Sequence, residues 1–130
     1  MDIKRTEMLL QQEKILACSH QLAELIKNSP EFINYKKAKE NLKQSDSSME
    51  LLLKFRTLQM KQQLNDFGQL ENSALTKELD DIYFTLSMHQ EINDFLNAEY
   101  CFTKLLNQIQ KVFVVDLEMP QEILALSQLN

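Results

Sequence analysis

Glycine occurs once in this 130-residue chain, at Gly68, and proline twice, at Pro30 and Pro120. Sharp turns, phosphate-cradling loops and strand hairpins depend on the φ angles that these two residues supply. A chain with three of them and 44% apolar residues is predicted to be a stack of helices joined by minimal connections. The same scarcity limits chemistry, because catalytic and binding groups are disproportionately carried on loops held by a rigid scaffold. The expectation is an all-α protein that binds rather than catalyses.

The length suits one domain with a modest core. The net charge of −5 gives no bulk attraction to nucleic acid or anionic membrane. Its distribution says more: residues 27–65 hold eight basic and four acidic groups, whereas residues 66–130 hold three and eleven. A basic middle and an acidic C-terminal half favour antiparallel contact, within one chain or between two, although complementary solvated faces would read the same way. The charged start, Asp2-Ile3-Lys4-Arg5-Thr6-Glu7, does not read as a signal peptide. No apolar run approaches the roughly 20 residues of a membrane span. Cys18 and Cys101 follow no disulfide spacing, so a cytoplasmic protein with reduced thiols is expected.

Helical periodicity and stop signals divide the chain into about five helices in hairpin arrangement. The first runs from about Asp2 to Lys27, with a stripe of Met8, Ile15, Leu22 and Ile26 flanked by Leu9, Leu16 and Ala23. Ser29 then serves as N-cap and Pro30 as first helical residue of a second helix bearing Phe32, Tyr35, Ala38 and Leu42. Gln44-Ser45-Asp46 breaks it, and Ser47 with Glu50 reads as a capping box for the third. Gly68 stops that helix. Asn72 or Ser73 opens a fourth, striped by Leu75, Leu79, Ile82 and Leu86. The fifth runs from about Gln90 to Lys111 or Val115. Residues 1–115 are thus one helical domain, and 116–130 a short tail in which Pro120 can start a short helix with Ile123, Leu124, Leu126 and Leu129 on its apolar side.

The third helix is apolar twice over. At about 100° per residue, Leu51, Phe55 and Leu58 share one side, while Met49, Leu53, Met60, Leu64 and Phe67 share the other. Lys54 and Lys61 lie on a polar edge between the stripes. Such a helix either crosses the middle of a bundle or meets a second subunit, and a five-helix bundle has little room for a central helix. Leu53, Met60, Leu64 and Phe67 are therefore the candidate subunit interface. A weak repeat aligns Glu31-Phe32-Ile33-Asn34-Tyr35-Lys36-Lys37-Ala38 with Glu91-Ile92-Asn93-Asp94-Phe95-Leu96-Asn97-Ala98. Tyr35, Ala38, Phe95 and Ala98 then occupy matching packing positions, although any two amphipathic helices share this grammar.

Catalytic constellations do not emerge. Cys18 and His20 point to different faces of one helix, and His89 stands well before Cys101, so no metal set follows. Metal-binding His-Glu-x-x-His, Glu-x-x-His, Cys-x-x-Cys and glycine-rich phosphate motifs are missing from the sequence. Glu78, Asp80 and Asp81 diverge around a helix and read as a solvated face. Lys36, Lys39 and Lys43 form a basic edge beside Tyr35, a candidate contact face. Single-strand binders interleave several aromatics with arginine, so one Tyr without Arg disfavours direct nucleic-acid binding.

The order of segments is itself informative. A first helix ends in Leu25-Ile26-Lys27-Asn28-Ser29-Pro30-Glu31-Phe32, followed by Tyr35-Lys36-Lys37-Ala38. Next come Asp46 and Leu51-Leu52-Leu53-Lys54-Phe55-Arg56-Thr57-Leu58-Gln59. The close is Glu91-Ile92-Asn93-Asp94-Phe95-Leu96-Asn97-Ala98-Glu99 with Leu105-Leu106-Asn107-Gln108-Ile109 beyond. Over roughly residues 5–115 this pattern resembles the YlbF/YmcA family of small helical bacterial proteins. The resemblance implies an all-α, non-enzymatic protein that associates with itself or a paralogue. It also implies a setting: in Gram-positive bacteria two such proteins join a third, unrelated one in a complex that guides the endoribonuclease RNase Y in transcript maturation. Competence, biofilm formation and sporulation depend on them. Some members in that complex hold iron–sulfur clusters through tail cysteines, but no cysteine follows Cys101 here, so this tail alone cannot bind one and no cofactor is expected. The expected function is a non-catalytic regulatory adaptor, with a structural oligomerisation module lacking any RNA role as the alternative.

Overall fold

The computed structural model describes residues 2–67 and 73–120, Phe67 by its backbone alone. Among them are five helices and no strand: α1 Ile3–Lys27, α2 Pro30–Lys43, α3 Asp46–Phe67, α4 Ser73–Ser87 and α5 Gln90–Asp116. Gly68 and Asn72, expected at helix ends, and residues 121–130 of the tail lie outside the described residues.

The connections are as short as the composition demands. Ser29 leaves the helical region at φ −74° and ψ 148°, and its Oγ accepts the Phe32 N–H at 3.2 Å, with Pro30 at the first helical position. The junction between α2 and α3 departs from expectation. Ser45, rather than Ser47, caps α3, its Oγ accepting the Ser48 N–H at 3.3 Å, and Ser47 lies inside the helix. Three serines compete for that role, and the choice of Ser45 turns Ser48 inward, where it is buried.

Helices α2 to α5 make an up-down-up-down bundle. α2 runs antiparallel to α5, as the ring contacts Phe32–Phe102 (5.5 Å) and Tyr35–Phe95 (5.7 Å) show, and α3 pairs with α4. Their core is one cluster: Ala38 and Leu42; Leu52, Phe55 and Leu58; Leu75, Ile82 and Leu86; Ile92 and Phe95. Within α3 the buried side is centred on Leu52, Phe55 and Leu58, while the expected Leu51 is only half-buried. α1 stands outside this bundle. Among the described helices it contacts α2 alone, near its own C-terminal end, and it has no buried residue along its length.

Candidate functional site

The surface most in need of a partner is apolar, and two helices supply it. On α3, Leu53, Met60 and Leu64 are 58%, 64% and 66% exposed, on the side opposite the buried Leu52, Phe55 and Leu58. The Phe67 side chain, the fourth interface candidate, lies outside the described residues. On α1, Met8, Leu9, Ile15 and Leu16 are all more than half exposed, and only Leu22 and Ile26 of its main stripe are half-buried. A single helix so placed gains little from packing, although in proteins most helical stability comes from burying an amphipathic face. Exposed apolar stripes of this kind make each helix a candidate for contact with a partner. The sequence showed the α1 stripe but not that it stands exposed against the described residues.

The repeat positions meet at the α2–α5 contact. Tyr35 stacks between Phe95 and Phe102, at centroid distances of 5.7 and 5.0 Å. Ala38 is buried and Ala98 half-buried against the same core. Outside them the two helices enclose an open groove of about 570 Å³, floored by Ala38 and Ala98 and walled by Asn34, Lys37, Asn41, Asp94, Asn97 and Cys101. Lys36, Lys39 and Lys43 are exposed, and the Lys39 ammonium sits 5.9 Å from the Tyr35 ring centroid. Because that ring is committed to the aromatic stack, it is not a free platform for a nucleic-acid base.

Polar groups join α3 to α5. Ser48 Oγ donates to Glu91 Oε1 at 2.6 Å, and Arg56 Nη2 donates to Glu99 Oε2 at 2.6 Å and to Oε1 at 2.8 Å. The Ser48 hydroxyl holds the Glu91 carboxyl below the usual carboxylate range. Its own backbone N–H and His89, whose Nδ1 lies 3.6 Å from Oε1, add to that, against an opposing contribution from burial. Nothing in the local sequence signals these pairs, since their members are 43 residues apart. Cys18 and Cys101 are both free and exposed, where burial is the commoner state of a free thiol. Among the described residues, no three of His, Cys, Asp and Glu are grouped to hold a metal ion, and no helix is long and apolar enough to cross a membrane.

The described residues form an all-α bundle with exposed apolar stripes on α1 and α3. Residues 15–117 match the family described as control of competence regulator ComK, YlbF/YmcA. The chain belongs to this family of regulatory proteins. A relative, a UPF0342 protein of Halothermothrix orenii, is 33% identical over 106 residues, covering 78% of this chain and 86% of the relative. Among solved structures, Bacillus subtilis RicA in complex with RicF is similar in fold, with a TM-score of 0.55 at 18% identity over 82% of this chain and 97% of that one.

Proposed function

We propose that this protein is a non-catalytic regulatory adaptor that works by helix-to-helix contact with a paralogue or a second copy of itself. The observation that carries the reading is the outward apolar stripe of Leu53, Met60 and Leu64 on a helix whose other side is already buried. The unsupported α1 enlarges the surface available to a partner. Its context is RNase Y-dependent mRNA processing in the cytoplasm, with effects on competence, biofilm formation and sporulation; family membership supports this setting. The groove at α2 and α5 is open to solvent, which favours contact over catalysis.

Light scattering at micromolar concentration tests the contact. The expected result is a dimer or larger species that Leu64→Asp dissociates, because burying an unpaired carboxylate in an apolar contact costs several kcal/mol. A monomeric wild type would remove the α3 face from the interface. Capture from native cytoplasm separates the two functional readings. Recovery of RNase components supports the adaptor, and recovery of this chain alone supports the structural oligomerisation module.

A further inference from the structure

The two polar links between α3 and α5 share one offset. Ser48 meets Glu91 and Arg56 meets Glu99, each 43 residues on. A constant offset means that the helices run parallel. Halfway between the links, at the same offset, Leu52 and Phe95 are both buried. Ser48, Leu52 and Arg56 are successive members of one i, i+4 ridge, as are Glu91, Phe95 and Glu99. The result is a three-rung ladder with polar outer rungs and an apolar middle one. Arg56 also ties the top rung to the middle one, its guanidinium carbon lying 5.8 Å from the Phe95 ring centroid.

Apolar packing alone is non-directional. A ridge repeating every four residues tolerates a slide by one turn, about 5.4 Å. That slide would set Leu52 against the carboxylate of Glu91 or Glu99, which strips water from a charge without pairing it. Selecting a register is the best-attested use of polar groups between helices. Stability is not the ladder's main contribution: the Arg56 and Glu99 side chains are 42% and 29% exposed, and ion pairs open to solvent add little.

We infer that Ser48, Arg56, Glu91 and Glu99 are positioning residues that lock α3 at one height on α5 and thereby set where the Leu53–Met60–Leu64 stripe stands relative to α1. This rests on the adaptor reading. α1 is tied to α5 through α2, and α3 is tied to α5 by the ladder in addition to its own packing on α4 and α2, so a partner that spans α1 and the α3 stripe recognises them in the register the ladder selects.

The test compares full-length Arg56→Glu, Glu99→Arg and the double variant by sedimentation across a concentration series, with circular dichroism as the folding control. Each single reversal sets two like charges together and is expected to weaken association by about tenfold at unchanged helix content. The double variant restores the pair and is expected to return to wild-type association. Glu99→Gln, of the same shape, gives the same direction of change should a reversal fail to fold. Single variants and Glu99→Gln that associate like wild type, while Leu64→Asp does not, overturn the lock and leave the adaptor reading standing. If Leu64→Asp also associates like wild type, the stripe is not the contact and the lock falls with it.

Discussion

α1 and α4 present similar apolar stripes in sequence and meet opposite fates in the fold. α4 buries Leu75, Ile82 and Leu86 within fifteen residues. α1, with twenty-five residues, buries none. The difference lies in what surrounds each stripe. α4 keeps its aliphatic residues Leu75, Leu79, Ile82 and Leu86 on one side, with the exposed Tyr83 and Phe84 outside that stripe, so one neighbouring pair of helices covers it. α1 carries Met8 and Ile15 on one side, Leu9 and Leu16 on a second, and Leu10 on a third, more than one neighbour could cover. Periodicity shows that a helix needs a partner, whereas only the fold shows whether the partner belongs to the same chain.

Truncation breaks the comparison most directly. Leu86→Ala removes a side chain that is 1% exposed and should destabilise the chain by about 2–5 kcal/mol. Ile15→Ala in α1 removes one that is 59% exposed and should cost within about 0.5 kcal/mol at concentrations too low for association. Urea midpoints for both variants, taken at low and high protein concentration, check this. The Leu86→Ala loss should persist throughout, and an Ile15→Ala loss should appear only where subunits associate. A large Ile15→Ala effect in the monomer would mean that α1 is held by its own chain after all.

The joint between the two regions gives a smaller effect. The Ser29 cap starts α2 where α1 ends, and its hydroxyl also donates to the Ile26 carbonyl at 2.6 Å. Ser29→Ala should cost about 1 kcal/mol by thermal unfolding, the usual loss for an N-cap. It should also loosen the angle between α1 and the bundle, visible as faster amide exchange at Phe32 and Ile33. Unchanged exchange there would show that Pro30 alone holds the joint.

Local chemistry was legible and distant pairing was not. Ser29 with Pro30 could be read because cap and helix start are neighbours in sequence. The buried sides of α2 and α4 could be read because each has one main aliphatic or aromatic stripe, and Phe95 of α5 because it matched Tyr35 in the repeat. α3 could be read only in outline. With apolar residues on both sides, spacing identified two faces but centred the inner one near Leu51, whereas the fold buries Leu52. The run Ser45, Ser47 and Ser48 offered several caps, and the choice depended on Glu91 of α5 standing ready to accept from Ser48. Glu91 stands in the first turn of α5, where an acid suits the helix dipole. Its second use, as an acceptor for another helix, has no local signature. The apolar surface of α1 was visible as a stripe and invisible as a surface, for the same reason.

Acid sharpens the contrast within the bundle by the smallest margin. Glu91 has its pKa lowered in the fold, chiefly by the Ser48 hydroxyl and then by its own backbone N–H, with His89 adding a further contribution. A carboxylate with a depressed folded pKa contributes stability above its unfolded pKa and loses it as pH falls through the folded value. The contribution should therefore be complete at neutral pH and fade below the ordinary carboxylate range. Glu91→Gln keeps the shape and removes that titration. Its thermal midpoint should lie slightly below wild type at neutral pH, and the gap should close as the pH drops through the acid limb. α1 holds no such pair to a distant helix among the described residues, its one ion pair being the local Lys27–Glu24 contact at 3.1 Å. Parallel acid limbs for wild type and Glu91→Gln would show that Ser48 does not hold the charged form in solution.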